Sequence, residues 1–164
     1  MEQKYIYSFS QIEDKVKTLH ETNTEPAAAV ALSWLGLSRD ELKTLRVSDY
    51  NSTMRMLHSA GRVVYVREDL IADILKAICE EAPEYSMGFF ITDVNSAYEA
   101  AEKQELSPIS VLKMRYFYEK HSAKLSGEPE DRVFLKEILR SVGESEADME
   151  KQFAEYEKDA PEKI

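Results

Sequence analysis

The chain has one cysteine, five glycines and five prolines among 164 residues. The lone thiol, Cys79, excludes an intramolecular disulfide and suits a reducing, cytoplasmic setting. Its surroundings, Leu75-Lys76-Ala77-Ile78-Cys79, mark a packed small hydrophobe rather than a nucleophile. No stretch of about 18 apolar residues occurs, so no membrane span is expected. The opening Met-Glu-Gln-Lys-Tyr lacks the charged-then-apolar pattern of a signal segment. The scattered glycines form no phosphate-cradling loop. His20, His58 and His121 have no ligand-like spacing, so neither a metal nor any other cofactor is expected. The many carboxylates fall on solvated helix faces, which disfavours paired-carboxylate catalysis. No internal repeat, low-complexity tract or interdomain linker is visible.

What the chain has is acid and apolar surface. A hydrophobic content of 43% in this length fits one domain over residues 1–164, burying roughly 70% of its unfolded surface. A net charge of −10 opposes non-specific attraction to a phosphate backbone, where affinity comes from cations that release counterions. The charge is unevenly distributed. Between Ile109 and Gly127 stand Lys113, Arg115, Lys120 and Lys124 against Glu119, whereas from Glu128 onward twelve acids face six bases. Lys113, Lys120 and Lys124, seven and four residues apart, share one helix face. That row is either a solvent stripe or a DNA-facing surface beginning beside Arg115.

Periodicity predicts a mainly helical chain. Phe9, Ile12, Val16 and Leu19 give the stripe of a first helix over 8–20, with Ser8 or Ser10 as N-cap and Glu13 at capping-box spacing from Ser10. Pro26 suits the first turn of a second helix. Ala27 to Leu37 is apolar nearly all round and is expected to be the central buried helix, with Trp34 in the core. Ser38 is placed to cap a third, at 39–46. Residues 52–66 change period: Met54, Met56 and His58 alternate with polar neighbours, Ser59-Ala60-Gly61 turns the chain, and Val63-Val64-Tyr65-Val66 is β-branched and aromatic, a hairpin signal. Helices are expected at 69–81, 94–103, 108–125, 130–142 and 146–158, with a buried extended piece at Gly88-Phe89-Phe90-Ile91. Gly127 and Gly143 stand just past two helix ends, and Pro129 before a start. Tyr116-Phe117-Tyr118 fits core packing better than stacking on bases. The acidic segment 144–162 reads as a solvated helix or a partner-docking one.

The stretch Ala27 to Tyr50, AAAVALSWLGLSRDELKTLRVSDY, resembles the opening of the catalytic domain of tyrosine recombinases, the phage-integrase family, in which a buried helix meets a Gly-Leu-Arg-x-x-Glu-Leu turn. The features that follow keep the family's order: hairpin, helix, extended segment, then Leu112-Lys113-Met114-Arg115-Tyr116-Phe117 at a His-x-x-Arg-His position and Ser141-Val142-Gly143-Glu144 at Leu-Gly-His. The resemblance implies a mainly α fold with a small antiparallel β-sheet (α+β), without the preceding helical domain that closes a clamp on DNA.

Carried over residue by residue, it implies a dismantled active site. Ser38 stands at the first arginine, while the acid three residues on is kept as Glu41. Residues 52 to 62 hold Arg55, His58 and Arg62 but no lysine. Leu112 replaces the first histidine, Arg115 keeps the second arginine, Glu144 replaces the last histidine, and Phe153 stands at the nucleophilic tyrosine. Tyr156 lies three residues on, which rotates a side chain by about 300° and moves it by about 4.5 Å. Phosphoryl transfer needs cations around the phosphate oxygens and a hydroxyl to attack; Glu144 and Phe153 supply neither. The expectation is a protein without enzymatic activity, linked to a mobile element, that binds a protein partner such as a recombinase or a second copy of itself. The alternative is weak DNA binding through Arg115, Lys113, Lys120 and Lys124.

Overall fold

A computed structural model describes residues 9–82, 87–121 and 132–159. Among these residues the fold is helical with one small sheet: α1 (Phe9–Thr22), α2 (Thr24–Trp34), α3 (Arg39–Thr44), a 3-10 turn (Val47–Asp49), β1 (Tyr50–Asn51), β2 (Met56–Ser59), β3 (Arg62–Tyr65), α4 (Asp69–Glu81), α5 (Val94–Lys103), α6 (Pro108–Lys120), α7 (Arg132–Val142) and α8 (Glu146–Asp159). No helix among them is long and apolar enough to cross a membrane.

Helix α2 is the axis of the molecule. Every residue from Pro26 to Trp34 is buried, because α1, α4, α5 and α6 all pack around it. Its many alanines let those neighbours come close. The helix stops at a Schellman turn: Gly36, at φ +89, places its N–H on Ser33 O at 2.9 Å, and the Leu37 N–H reaches Leu32 O at 3.1 Å. Ser38 then opens α3 with a reciprocal box, its Oγ accepting from the Glu41 N–H at 3.1 Å while its own N–H reaches Glu41 Oε1 at 3.2 Å.

The sheet runs β1-β2-β3, all antiparallel, with Met56 opposite Tyr65 and His58 opposite Val63. Ala60 and Gly61 form a two-residue turn at φ +50 and +77, the left-handed geometry that matches strand twist. Leu57 and Val64 point into the core, and Val63 and Tyr65 point out, at 41% and 53% exposure. Below the sheet, the bridge between Arg46 and Phe89 brings the buried Phe90-Ile91 piece onto the α3 end.

Several boundaries differ from those predicted. Ser10 is the second helical residue of α1, so its pairing with Glu13 does not open the helix, and Ser8 lies outside the described residues. Helix α3 ends at Thr44, where Leu45 turns extended and the 3-10 turn takes over. Met54 sits in the turn before β2, and β1 is a third strand that a two-residue run could not announce. Helix α6 closes at Lys120 with His121 as cap. Lys124, Gly127 and Pro129 lie outside the described residues.

Candidate functional site

Helix α6 carries the residues singled out for binding, and the structure gives each described one a carboxylate. Two-thirds of the helix is buried against α2 and α7, including Leu112, Tyr116, Phe117 and Tyr118. The three aromatics are therefore core, and Trp34 meets Tyr118 edge-on at 5.2 Å. The charged and titratable groups on the open side are the row Lys113, Lys120 and His121.

Helix α8 and the turn before it cover that row. Lys113 Nζ reaches Glu144 Oε1 at 3.3 Å and Gln152 Oε1 at 3.2 Å, and Gln152 Nε2 donates back to Glu144 Oε2 at 2.6 Å. Lys120 Nζ pairs with Glu146 Oε1 at 2.9 Å. That contact raises the Lys120 pKa and lowers that of Glu146, each through the hydrogen bond to the other first. His121 Nε2 lies 3.0 Å from Glu150 Oε2. Its ring is stacked flat on Phe153, centroids 3.7 Å apart and planes 1° from parallel.

Two kinds of force hold α8 there. The ion pairs are at the surface, and such pairs contribute about 0–1 kcal/mol each. Met149, Phe153 and Tyr156, spaced four and three apart, are all buried; each apolar side chain so buried stabilises by roughly 2 kcal/mol. Phe153 and Tyr156 both pack on Phe117, at 5.3 and 5.7 Å. An isolated 14-residue helix is marginal in water. Release of α8 therefore returns conformational entropy, and the net cost of opening is well below the sum of these contacts.

Arg115 has a different environment. Its side chain is 8% exposed and forms ion pairs with Glu119 on the next turn and with Glu68 at 3.4 Å. Glu68 Oε1 also accepts the Trp34 indole N–H at 3.0 Å, and the guanidinium lies 5.3 Å from the Trp34 ring. Arg115 is thus the centre of a buried cluster with two carboxylates, packed between α2, α4 and α6.

The other positions matched to the recombinase site have structural partners too. Ser38 caps α3. Glu41 completes that box and accepts the Ser59 hydroxyl at 2.7 Å, tying α3 to β2. Leu112 is fully buried. In the hairpin, Arg55 pairs with Asp69 at 2.8 Å, and His58 and Ser59 line an open cleft of about 390 Å³ with Thr44, Asp49 and Gly61. Cys79 is half-buried, its Sγ 3.7 Å from Val47 O. Burial pushes its thiol up to about 11. Among the described residues no group of three metal-ligating side chains comes together.

Sequence reasoning found α6 and missed most of what faces it. Glu119 was legible, since Arg115 and Glu119 stand at helical i, i+4 spacing. Glu68, Glu146 and Glu150 come from other elements, and nothing local in the sequence announces their targets. No protein-family model matches the chain, and no curated protein or solved structure matches it either.

Proposed function

We propose that the protein is a non-catalytic, integrase-like interaction module, linked to a mobile element and acting through a protein partner such as a recombinase or a second copy of itself. The observation that carries this reading is the occupation of the matched catalytic positions. Ser38 caps a helix, Leu112 fills the core, Glu144 and Phe153 hold α8 on α6, and Arg115 is ion-paired inside the fold. A phosphate-binding centre needs unsatisfied cations converging on one point and a nucleophile within reach of it. These side chains are committed elsewhere. The outward sheet face, with Val63 and Tyr65 exposed, supplies the kind of apolar surface a protein partner covers.

The test has two arms. Incubation with nicked suicide substrates and denaturing electrophoresis is expected to show no covalent adduct; any adduct, above all one lost in Tyr156→Phe, overturns the reading. Sedimentation with a candidate recombinase, or of the protein alone across concentration, is expected to show association that Tyr65→Ser weakens. A second reading, weak duplex DNA binding, is favoured by the placement of Lys113 and Lys120 on one α6 face. Titration with labelled duplex across salt tests it. A dissociation constant tighter than about 1 μM at physiological salt favours DNA, and silence favours the protein partner.

A further inference from the structure

The cover that α8 and the turn before it place on α6 has two components, and they belong to different chemistries. One is a line of anions: Glu144, Glu146 and Glu150 lie on Lys113, Lys120 and His121. The other is a flat ring laid face-on against a second flat ring, Phe153 on His121 at 3.7 Å and 1°. Protein rings usually meet offset or edge-on. Phe153 meets Phe117 at 58°, and Trp34 meets Tyr118 at 73°. A parallel ring contact beside a row of anions is the arrangement a single-stranded nucleic acid offers, with phosphates on cations and a base on an aromatic face. Residues 113 to 121 extend about 12 Å along the helix, enough for two successive phosphates.

We propose that α8, with the turn before it, is an intramolecular stand-in for a nucleic-acid single strand, and that it masks a single-strand-binding face formed by Lys113, Lys120 and His121. This goes beyond the protein-partner reading and is independent of duplex binding. Arg115 is outside the face, since it is buried in its own cluster. Carboxylates at Glu144 and Glu146 compete with phosphates for the ammonium groups of Lys113 and Lys120, Glu150 occupies the edge of the His121 ring, and Phe153 takes the place of a base on its face. In the closed form the face is silent.

The test uses the full chain. Binding of labelled oligo(dT), oligo(U) and a duplex of equal length is measured by fluorescence anisotropy for the wild type and for E144Q/E146Q/E150Q. A control, D14N/E21Q/D40N, makes the same change in net charge at exposed positions elsewhere. Each freed lysine adds about 0.7 to the log–log salt slope for a single strand. Two lysines therefore tighten binding roughly tenfold near 150 mM salt and steepen the slope by about 1.4. Expected is that gain for one or both single strands, larger than for duplex, absent from the control and abolished by adding K113Q/K120Q. Response to oligo(dT) or oligo(U) tells DNA from RNA. The single variant E146Q, at the most exposed of the three pairs, gives a smaller gain in the same direction without risk to the fold. No gain overturns the proposal, as do a gain shared by the control, one confined to duplex, or one surviving lysine loss. A face that binds polyglutamate but neither single strand is an acidic-protein site and overturns it equally. Duplex binding that is equal in wild type and variant, with no gain for either single strand, leaves the duplex reading standing while the mask falls.

Discussion

Replacing Arg115 with methionine isolates the question of what this buried arginine does. The substitution keeps much of the aliphatic volume and removes the charge, leaving Glu68 and Glu119 facing each other beside Trp34. Glu119 is 3% exposed and Glu68 18%, so water screens neither well. Removing one partner of a buried ion pair costs about 3–5 kcal/mol, because the remaining charge is stranded. In a domain of this size that is a large share of the total stability, and it lowers Tm by about 10 °C. Trp34 is the chain's single tryptophan and sits in the cluster, so its fluorescence follows urea unfolding directly. Adding Glu68→Gln and Glu119→Gln removes the stranded charges and is expected to recover more than about half of the loss. A cost below about 1 kcal/mol for Arg115→Met, the range of an exposed pair, refutes the reasoning. It also returns the guanidinium to the pool of groups a ligand can use.

Two further outcomes follow from local geometry. Ser38→Ala removes one half of the α3 capping box and is expected to cost about 1 kcal/mol in urea unfolding; Ser38→Arg is expected to produce no DNA cleavage in the nicked-substrate assay, since the remaining positions are still committed. Cys79 is expected to react slowly with a thiol reagent at pH 8 in the native protein and quickly in urea, because its native pKa is about 11 against an ordinary value of 9.0. The sign of the linkage follows: the native state keeps its proton longer than the unfolded chain, so this contribution to stability is intact below pH 9 and is lost as pH rises toward 11. Cys79→Ser is expected to flatten that alkaline limb.

The central helix and the hairpin were readable because each rests on a local rule. Ala27 to Trp34 has no polar face to expose, and only burial on all sides suits such a segment. Ala60-Gly61 between β-branched runs has one low-energy solution. The α4 boundaries, Asp69 and Glu81, matched because an acid opens the helix and an apolar stripe of Ile71, Ile74, Leu75 and Ile78 fills it. The Ser38–Glu41 box has the spacing of its motif, but spacing alone does not separate a box acid from the family acid that Glu41 also resembles. The cation row on α6 was legible as a row, but its state was not. Whether Lys113 and Lys120 face solvent, a ligand or Glu144 and Glu146 depends on where a helix 26 residues further on comes to lie. No periodicity within either helix encodes that placement.

Net charge is a poor guide to such a face. The −10 of the whole chain predicts repulsion of any nucleic acid beyond contact, over about a Debye length of 8 Å, but Glu144 and Glu146 are placed directly against Lys113 and Lys120. Salt does not separate these effects. Raising ionic strength loosens Lys120–Glu146 and Lys113–Glu144, and it weakens phosphate binding to the same lysines by the same screening. A strand therefore gains nothing from added salt, because its competitor and its own attraction fade together. The apolar anchors respond differently: Met149, Phe153 and Tyr156 are held by burial, which salt does not screen. Control of this face consequently belongs to whatever engages those three side chains or changes the charges of Glu144, Glu146 and Glu150, and Phe153 links the two sets through its contact with His121.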